Sequence, residues 1–455
     1  MNRRHFPYPT YERSAAEWQE DVPSGWSSLA LGRMFRRVTR SGFPDEELLS
    51  VYRDYGVIPK TSRNDNFNKA SEDLSPYQLV RPGDLVMNKM KAWQGSIAMS
   101  KHRGIVSPAY FVYEPWRDGD DRIELNYIHY LLRSSAYITQ YLSRSKGIRV
   151  NQWDLDPSAF ERIEVLLPSL DEQTQIATFL DDETAKIDAL IAKLQQLIAL
   201  LQEKRQAVIS HAVTKGLNPD APLRESGVEW LGDVPEHWEV GQLRRWIRKM
   251  EQGKSPECER RPAEGTEWGV LKTSCVNKGL YAEQENKALP SHLLPVKRYE
   301  VHDGDVLMSR ASGSTELIGS VAFVHVTRPR NLLSDKIFRL HFEAKIAGRY
   351  FTYLMASSYM RSLIVRAVSG AEGMANNITK TAVLGFPVAV PPIREQIQIA
   401  TFLNDETVKI DALIAESQTG TALLQERRAA LISAAVTGKI DVRDWKPTES
   451  DTEAA

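Results

Sequence analysis

Leu190, Leu194, Leu197 and Leu201 step by four, three and four along the chain, and Ile187, Ile191, Ile198 and Val208 widen the stripe. That spacing puts them on one side of an α-helix and predicts a coiled-coil seam. The helix would run from about Asp171 to Val213, near 65 Å if straight. A helix packed only on its own domain would more often be 10 to 20 residues long, so helix pairing is the better reading. Pro168 stands just before it, where a missing N–H costs little. Elsewhere the pattern is shorter. Gly83-Asp84-Leu85-Val86-Met87 and Gly304-Asp305-Val306-Leu307-Met308 each read as a turn followed by a strand. Tyr130 to Ser135 and Tyr353 to Ser358 read as matching helical runs, so the segments ahead of the long helix patterns are α+β.

The long helix occurs twice. EQTQIATFLDDETAKIDALIA at Glu172 to Ala192 returns as EQIQIATFLNDETVKIDALIA at Glu395 to Ala415. Extended to Thr214 and Thr437, the alignment keeps roughly 31 of 43 positions identical, which is duplication of a whole unit. EWQEDVPSGW with Trp18 and Trp26 is answered by EWLGDVPEHW with Trp230 and Trp238, and Pro391-Pro392 precede the second helix. The chain therefore divides into a first variable domain (1–167), a helix (168–217), a second variable domain (218–390), a helix (391–440) and an acidic, disordered tail (441–455). The predicted seam comprises Ile187, Leu190, Leu194, Leu197 and Leu201 with Ile410, Leu413, Leu424 and Leu431 of the second copy. Ser417, Gly420 and Thr421 replace Leu194, Leu197 and Ile198, which predicts a kink or a looser contact there. Two such helices in one chain can pair antiparallel with pseudo-twofold symmetry, carrying one domain at each end.

Charge sorts along these boundaries. The variable domains come to about +2 and +3, while the helical regions, the second counted with the tail, come to about −2 and −4. Phosphate binding needs local positive charge, so any DNA affinity belongs to the variable domains and the helices are left for protein contacts. Neither a signal peptide nor an apolar run of membrane-spanning length is present, and a cytoplasmic protein is expected. Cys258 and Cys275 lie in no paired metal-binding arrangement and read as ordinary thiols.

The candidate DNA contacts lie in polar loops that follow the predicted strands and helices. In the first domain they are Lys89, Lys91, Trp93 and Gln94, then Arg144, Lys146, Arg149, Asn151 and Gln152. Cations, amides and aromatics are the side chains that meet phosphates and base edges. The bland alternative is a solvated loop with Trp93 covering the core. The second domain places Arg310, Ser312 and Ser314 where the first loop falls, and Asn376, Asn377 and Lys380 where the second falls. Arg310 suits two-pronged pairing with guanine, and the asparagines suit adenine. Arg260-Arg261 and Arg328-Pro329-Arg330 are further candidates for phosphate contact.

LPSLDEQTQIATFLDDETAKID and VPPIREQIQIATFLNDETVKID, with the lead-ins above and the closing AAVTGKIDVRDW, resemble the specificity subunit of type I restriction-modification systems. The resemblance covers nearly the whole chain. It implies two target recognition domains, each reading half of a split, asymmetric double-stranded DNA site, with the gap set by the helices. It also implies two methylation subunits and restriction subunits that translocate and cleave DNA as partners. S-adenosylmethionine, ATP and magnesium would sit on those partners, and no cofactor or membrane would be bound by this chain. No GxxxxGK[ST] phosphate loop occurs, and Val390-Pro391-Pro392-Ile393 lacks the leading amide or acid and the aromatic of an adenine-methylase tetrad. The rival readings are a stand-alone methyltransferase or nuclease with an unrecognised active site, and a coiled-coil adaptor that does not touch DNA.

Overall fold

The computed structural model describes residues 6–53, 55–63, 70–116, 122–149, 152–368 and 376–447. Two compact units divide the chain: Met1–Gln195 with Thr419–Ala455, and Gln196–Gln418. Each unit thus holds one variable domain, the first half of the long helix that follows it, and the last half of the other long helix.

Inside the first unit, a four-stranded antiparallel sheet is ordered Phe35–Val38, Tyr110–Pro115, Leu85–Asn88, Ile97–Met99. Inside the second, the same order returns as Ile247–Gln252, Ile337–Phe342, Val306–Ser309, Val321–Phe323. The strands that open at Leu85 and Val306 follow the expected turns, where Gly83 and Gly304 take φ of 89° and 90° that a side chain would strain. Asp84 and Asp305, next in sequence, receive a guanidinium. In the first unit Arg40 bridges Asp84 and Glu114. In the second, Arg339 bridges Asp305 at 3.1 Å and Glu251 at 2.7 Å. Burial alone would raise the Glu251 carboxyl, but hydrogen bonding and charge from Arg339, with His341 and Lys249 adding to it, hold it down to about 2.

Two short helices cover each sheet, Leu125–Arg133 with Ser135–Arg144 and Gly348–Ala356 with Ser358–Ala367. Buried Ser134 and Ser357 break each pair with extended backbone. The long helices follow, Leu170–Lys215 and Ile393–Val436, each entered from a short strand, Glu164–Leu167 and Pro387–Val390, through proline. Their first turns are pinned in the same way. Gln173 is fully buried; its amide donates to Arg122 O at 2.8 Å and Pro168 O at 3.0 Å and accepts from Glu124 N at 2.9 Å. Gln396 repeats this with Lys345 O, Pro391 O and Ala347 N, all at 2.8 Å. Beside them Glu172 accepts from Trp26 Nε1 and Tyr8 Oη, and Glu395 accepts from Trp238 Nε1 at 3.1 Å and meets His237 at 2.8 Å.

The far ends of the helices complete these cores. Ile432, Ala435 and Val436 join Val22, Trp26 and Ile176 in the first unit, and Gln19 donates to Thr437 O. Ile209, Ala212 and Val213 join Val234, Trp238 and Ile399 in the second, and Gln206 donates to Ala356 O. The two helices run antiparallel within each unit: Arg428 holds Asp188 at 3.0 Å in the first, and Arg205 holds Asp411 at 2.9 Å in the second. These are equivalent positions of the repeat.

The seam differs from the predicted one. Ile187, Leu201 and Ile410 are buried, and Leu194, Leu424 and Leu431 are half-buried. Leu190, Leu197 and Leu413 are instead 50%, 44% and 49% exposed. Ile191, Ile198 and Ile414 are half-buried in their stead, so the inner row of the first helix steps 187, 191, 194, 198, 201. A spacing of three or of four satisfies the same helix, and the partner helix decides which side turns inward. In the second helix buried Ser417 takes the place of Leu194 and returns its hydroxyl to Leu413 O at 2.8 Å. Gly420 approaches Leu194, which a built Cβ would meet at 3.4 Å. The helix is continuous from Ile393 to Val436, without a break at these residues.

The tail also starts later than expected. Val442 is buried, Trp445 meets Phe179 edge-on at 5.4 Å, and Gln175 donates to Trp445 O. Apolar residues within 441–447 thus anchor this stretch, and residues 448–455 lie outside the described residues.

Gln173→Ala or Gln396→Ala would remove three hydrogen bonds between a fully buried amide and the backbone, and each is expected to lower stability by about 3 kcal/mol. Thermal denaturation of the full chain checks this; a loss below about 0.5 kcal/mol, the scale of an ordinary surface change, would remove the anchor role.

Candidate nucleic-acid interface

The first domain's loop leaves the sheet at Asn88, whose Oδ1 accepts from Met90 N at 3.1 Å. A single 3-10 turn, Ala92–Gln94, then buries Ala92 and returns through Gly95. Gly95 is required twice, by its φ of 90° and because a Cβ would stand 2.8 Å from Ile138 Cδ1. The turn leaves Lys91 and Gln94 exposed and Lys89 and Trp93 half-buried, with Trp93 Nε1 donating to Met90 O at 3.0 Å. The second candidate run forms a hairpin, Ser145–Arg149 against Gln152–Leu155. The fold brings loop and hairpin together: Leu155 N donates to Lys89 O at 3.2 Å, and the rings of Trp93 and Trp153 lie 4.9 Å apart.

Lys89, Lys91 and Lys146 make no side-chain hydrogen bond or ion pair among the described residues. Arg36, Arg40 and Arg103, elsewhere in the same domain, are paired with carboxylates. Arg144 is drawn back to its own helix, to Gln140 Oε1 at 2.5 Å. Asn151 lies outside the described residues, as do the side chains of Arg149 and Gln152.

In the second domain the equivalent segments pair directly. Ala311–Ser312 forms a two-stranded ribbon with Asn376–Asn377, and Ile378 N donates to Arg310 O at 3.0 Å. Arg310 is half-buried and makes no side-chain hydrogen bond or ion pair among the described residues, though its charge helps to lower the Asp335 carboxyl against the effect of burial. Ser312 Oγ accepts from Ser314 N at 3.2 Å, and Ser314 is exposed. Lys380 is exposed, donates to Met250 O at 2.9 Å and lies 5.6 Å from the Phe338 ring. Three of the four candidate phosphate arginines are engaged with their own domain. Arg261 pairs with Glu259 and Glu267, while Arg328 donates to Ala263 O, Gly265 O and Glu267 O and Arg330 to Thr266 O, clamping that loop. Sequence could not anticipate the contacts of Arg328 and Arg330, because the carbonyls they bind lie more than 60 residues away. Trp153 was also missed; an aromatic within a basic hairpin was its only signal.

Among the described residues no group of three His, Cys, Asp or Glu could hold a metal ion. Cys275 is buried, which pushes its thiol up and away from nucleophilic use, and Cys258 is raised in the same direction. No helix is long and apolar enough to cross a membrane, again among the described residues.

The fold is a duplicated one whose two domains present paired loops of unlike chemistry. Known proteins share it. The family model for the type I restriction modification DNA specificity domain matches residues 23–200. The specificity subunit of the EcoEI type I restriction enzyme of Escherichia coli is 30% identical over 243 residues, 53% of this chain and 40% of that one. The EcoKI specificity subunit of Escherichia coli strain K12 is 23% identical over 451 residues, 94% of this chain and 92% of that one. A structure solved to explain complex assembly and conformational transition of the type I R-M system shares the fold, with a TM-score of 0.67 at 17% identity, covering 92% of this chain and 99% of that one. The chain is thus similar to type I restriction-modification specificity subunits, over residues 23–200 by the family model and over most of its length by the EcoKI relative.

Two substitutions separate the kinds of contact. Arg310→Ala is expected to relax discrimination at one base pair by about 1 to 3 kcal/mol. Lys91→Ala is expected to weaken all duplexes alike and to reduce the slope of log affinity against log salt by about one. Anisotropy titrations across salt concentrations check both, and interchange of the two outcomes would reverse the assignments.

Proposed function

We propose that this chain reads a bipartite, asymmetric double-stranded DNA site, one half through each recognition domain, and contributes no chemistry of its own. The observation that carries the reading is the pairing, in each unit, of two polar segments at equivalent places on one scaffold. One pair offers lysines and indoles, the other arginine, serine and asparagine. A shared scaffold with unlike loops suits two unlike half-sites.

The long helices serve as the ruler between half-sites and as the dock for two methylation subunits and for the restriction and translocation subunits. Exposed Leu190, Leu197 and Leu413 favour docking, since leucines turned away from the seam offer apolar area to a partner. S-adenosylmethionine, ATP and magnesium belong to those partners, and the assembly acts in the cytoplasm. A stand-alone methylase or nuclease would show turnover by the purified chain supplied with DNA and S-adenosylmethionine or magnesium.

Exchange of residues 1–165 for another reader is expected to change one half of the methylated sequence and to leave the other intact. Methylome sequencing of cells carrying the exchange reads this directly, and a change in both halves would sink the modular reading. Insertion or deletion of helical residues between Ala192 and Ala207 is expected to alter the gap alone. The same sequencing would refute the ruler if a half-site changed.

A further inference from the structure

The two recognition domains join their reading segments by different means. In the second domain the join is a backbone ladder, Ala311 with Asn377 and Ser312 with Asn376, extended by the Ile378 to Arg310 hydrogen bond. In the first, one backbone hydrogen bond among the described residues, Leu155 N to Lys89 O at 3.2 Å, spans loop and hairpin. Beyond it lies the contact of Trp93 with Trp153, centroids 4.9 Å apart and planes tilted by 54°. Trp93 is itself fixed to its loop through Met90 O, so the face it offers to Trp153 has a defined direction. Trp153 sits one residue from Asp154, which pairs in register with Lys146. The indole contact therefore sets where Lys146 stands relative to Lys89 and Lys91.

We propose that Trp153 is a positioning residue for sequence selection by the first domain: through Trp93 it holds loop and hairpin in one arrangement, so that both address the same half-site. The second domain needs no such residue because its ladder does the same. This inference rests on the reading that the first domain's loop and hairpin meet DNA. A contact that aligns two reading segments discriminates between sites, because misaligned donors still find phosphates but miss base edges. Loss of the indole should thus relax selection in one half-site and leave turnover in place.

The test uses the full chain with Trp153→Ala or Trp153→Phe, produced with its methylation subunits in cells lacking other methylases, followed by methylome sequencing. The half-site of the first domain is identified beforehand by exchange of residues 1–165. With Trp153→Ala, sites mismatched in that half should be methylated at least about tenfold more often relative to matched sites than with the unaltered chain, the scale of one good base contact. The other half should stay unchanged, and Trp153→Phe should restore selection. An unchanged motif, relaxation in the second domain's half, or loss of methylation by Trp153→Ala would each overturn the proposal. The underlying reading has its own check: joint substitution of Lys89, Lys91 and Lys146 by alanine must lower DNA affinity and its salt dependence. If affinity falls but Trp153→Ala leaves the motif intact, only the positioning role is lost; if affinity is unmoved, the DNA-facing assignment fails with it.

Discussion

A buried amide at the head of each long helix ties the recognition domains to the helices. Gln173 and Gln396 each bind three backbone groups, from the connection into the helix and from the run that leads to the short helix pair. An amide can do this because it donates and accepts at once, and burial makes each of those bonds costly to leave unmade. The neighbouring Glu172 and Glu395 take the indole N–H of Trp26 and Trp238. A dipeptide thereby fixes the direction in which a helix of more than 40 residues leaves its domain.

Each core is finished by chain that is remote in sequence. Val436 packs in the unit that contains Trp26, and Val213 in the unit that contains Trp238. Buried apolar side chains at both ends of a helix make its length and register a property shared by two cores. The carboxylate–guanidinium triads show what duplication left free. Arg40, just past the strand Phe35–Val38, meets Asp84 and Glu114 in the first unit, and Arg339 meets Asp305 and Glu251 in the second, where arginine lies on the strand equivalent to that of Glu114. Half-buried charge requires a partner, and either strand can supply it.

The candidate loops follow the opposite rule. Lys89, Lys91, Lys146 and Arg310 keep their cationic groups uncommitted among the described residues, while Arg261, Arg328, Arg330 and Lys380 are engaged with their own domains. Uncommitted charge close to backbone-rigid turns is what a polyanion can use, since little has to be broken before it binds.

Spacing along the chain was enough to reveal the duplication, the two long helices, the strands opening at Leu85 and Val306, and the likeness to specificity subunits. These depend on local periodicity and on identity between copies, both of which a linear string preserves. It could not choose between Leu190 and Ile191, or Leu197 and Ile198, for the inner face, because steps of three and four both lie on one side of a helix. It could not say that Arg328 clamps a loop, that Lys380 donates to Met250 O, or that Trp153 meets Trp93. Those outcomes are set by which distant carbonyl, ring or helix arrives at the residue. The chain's own order determined what the elements are and that they come twice; only tertiary packing decided which side of each is covered and which charges stay available for DNA.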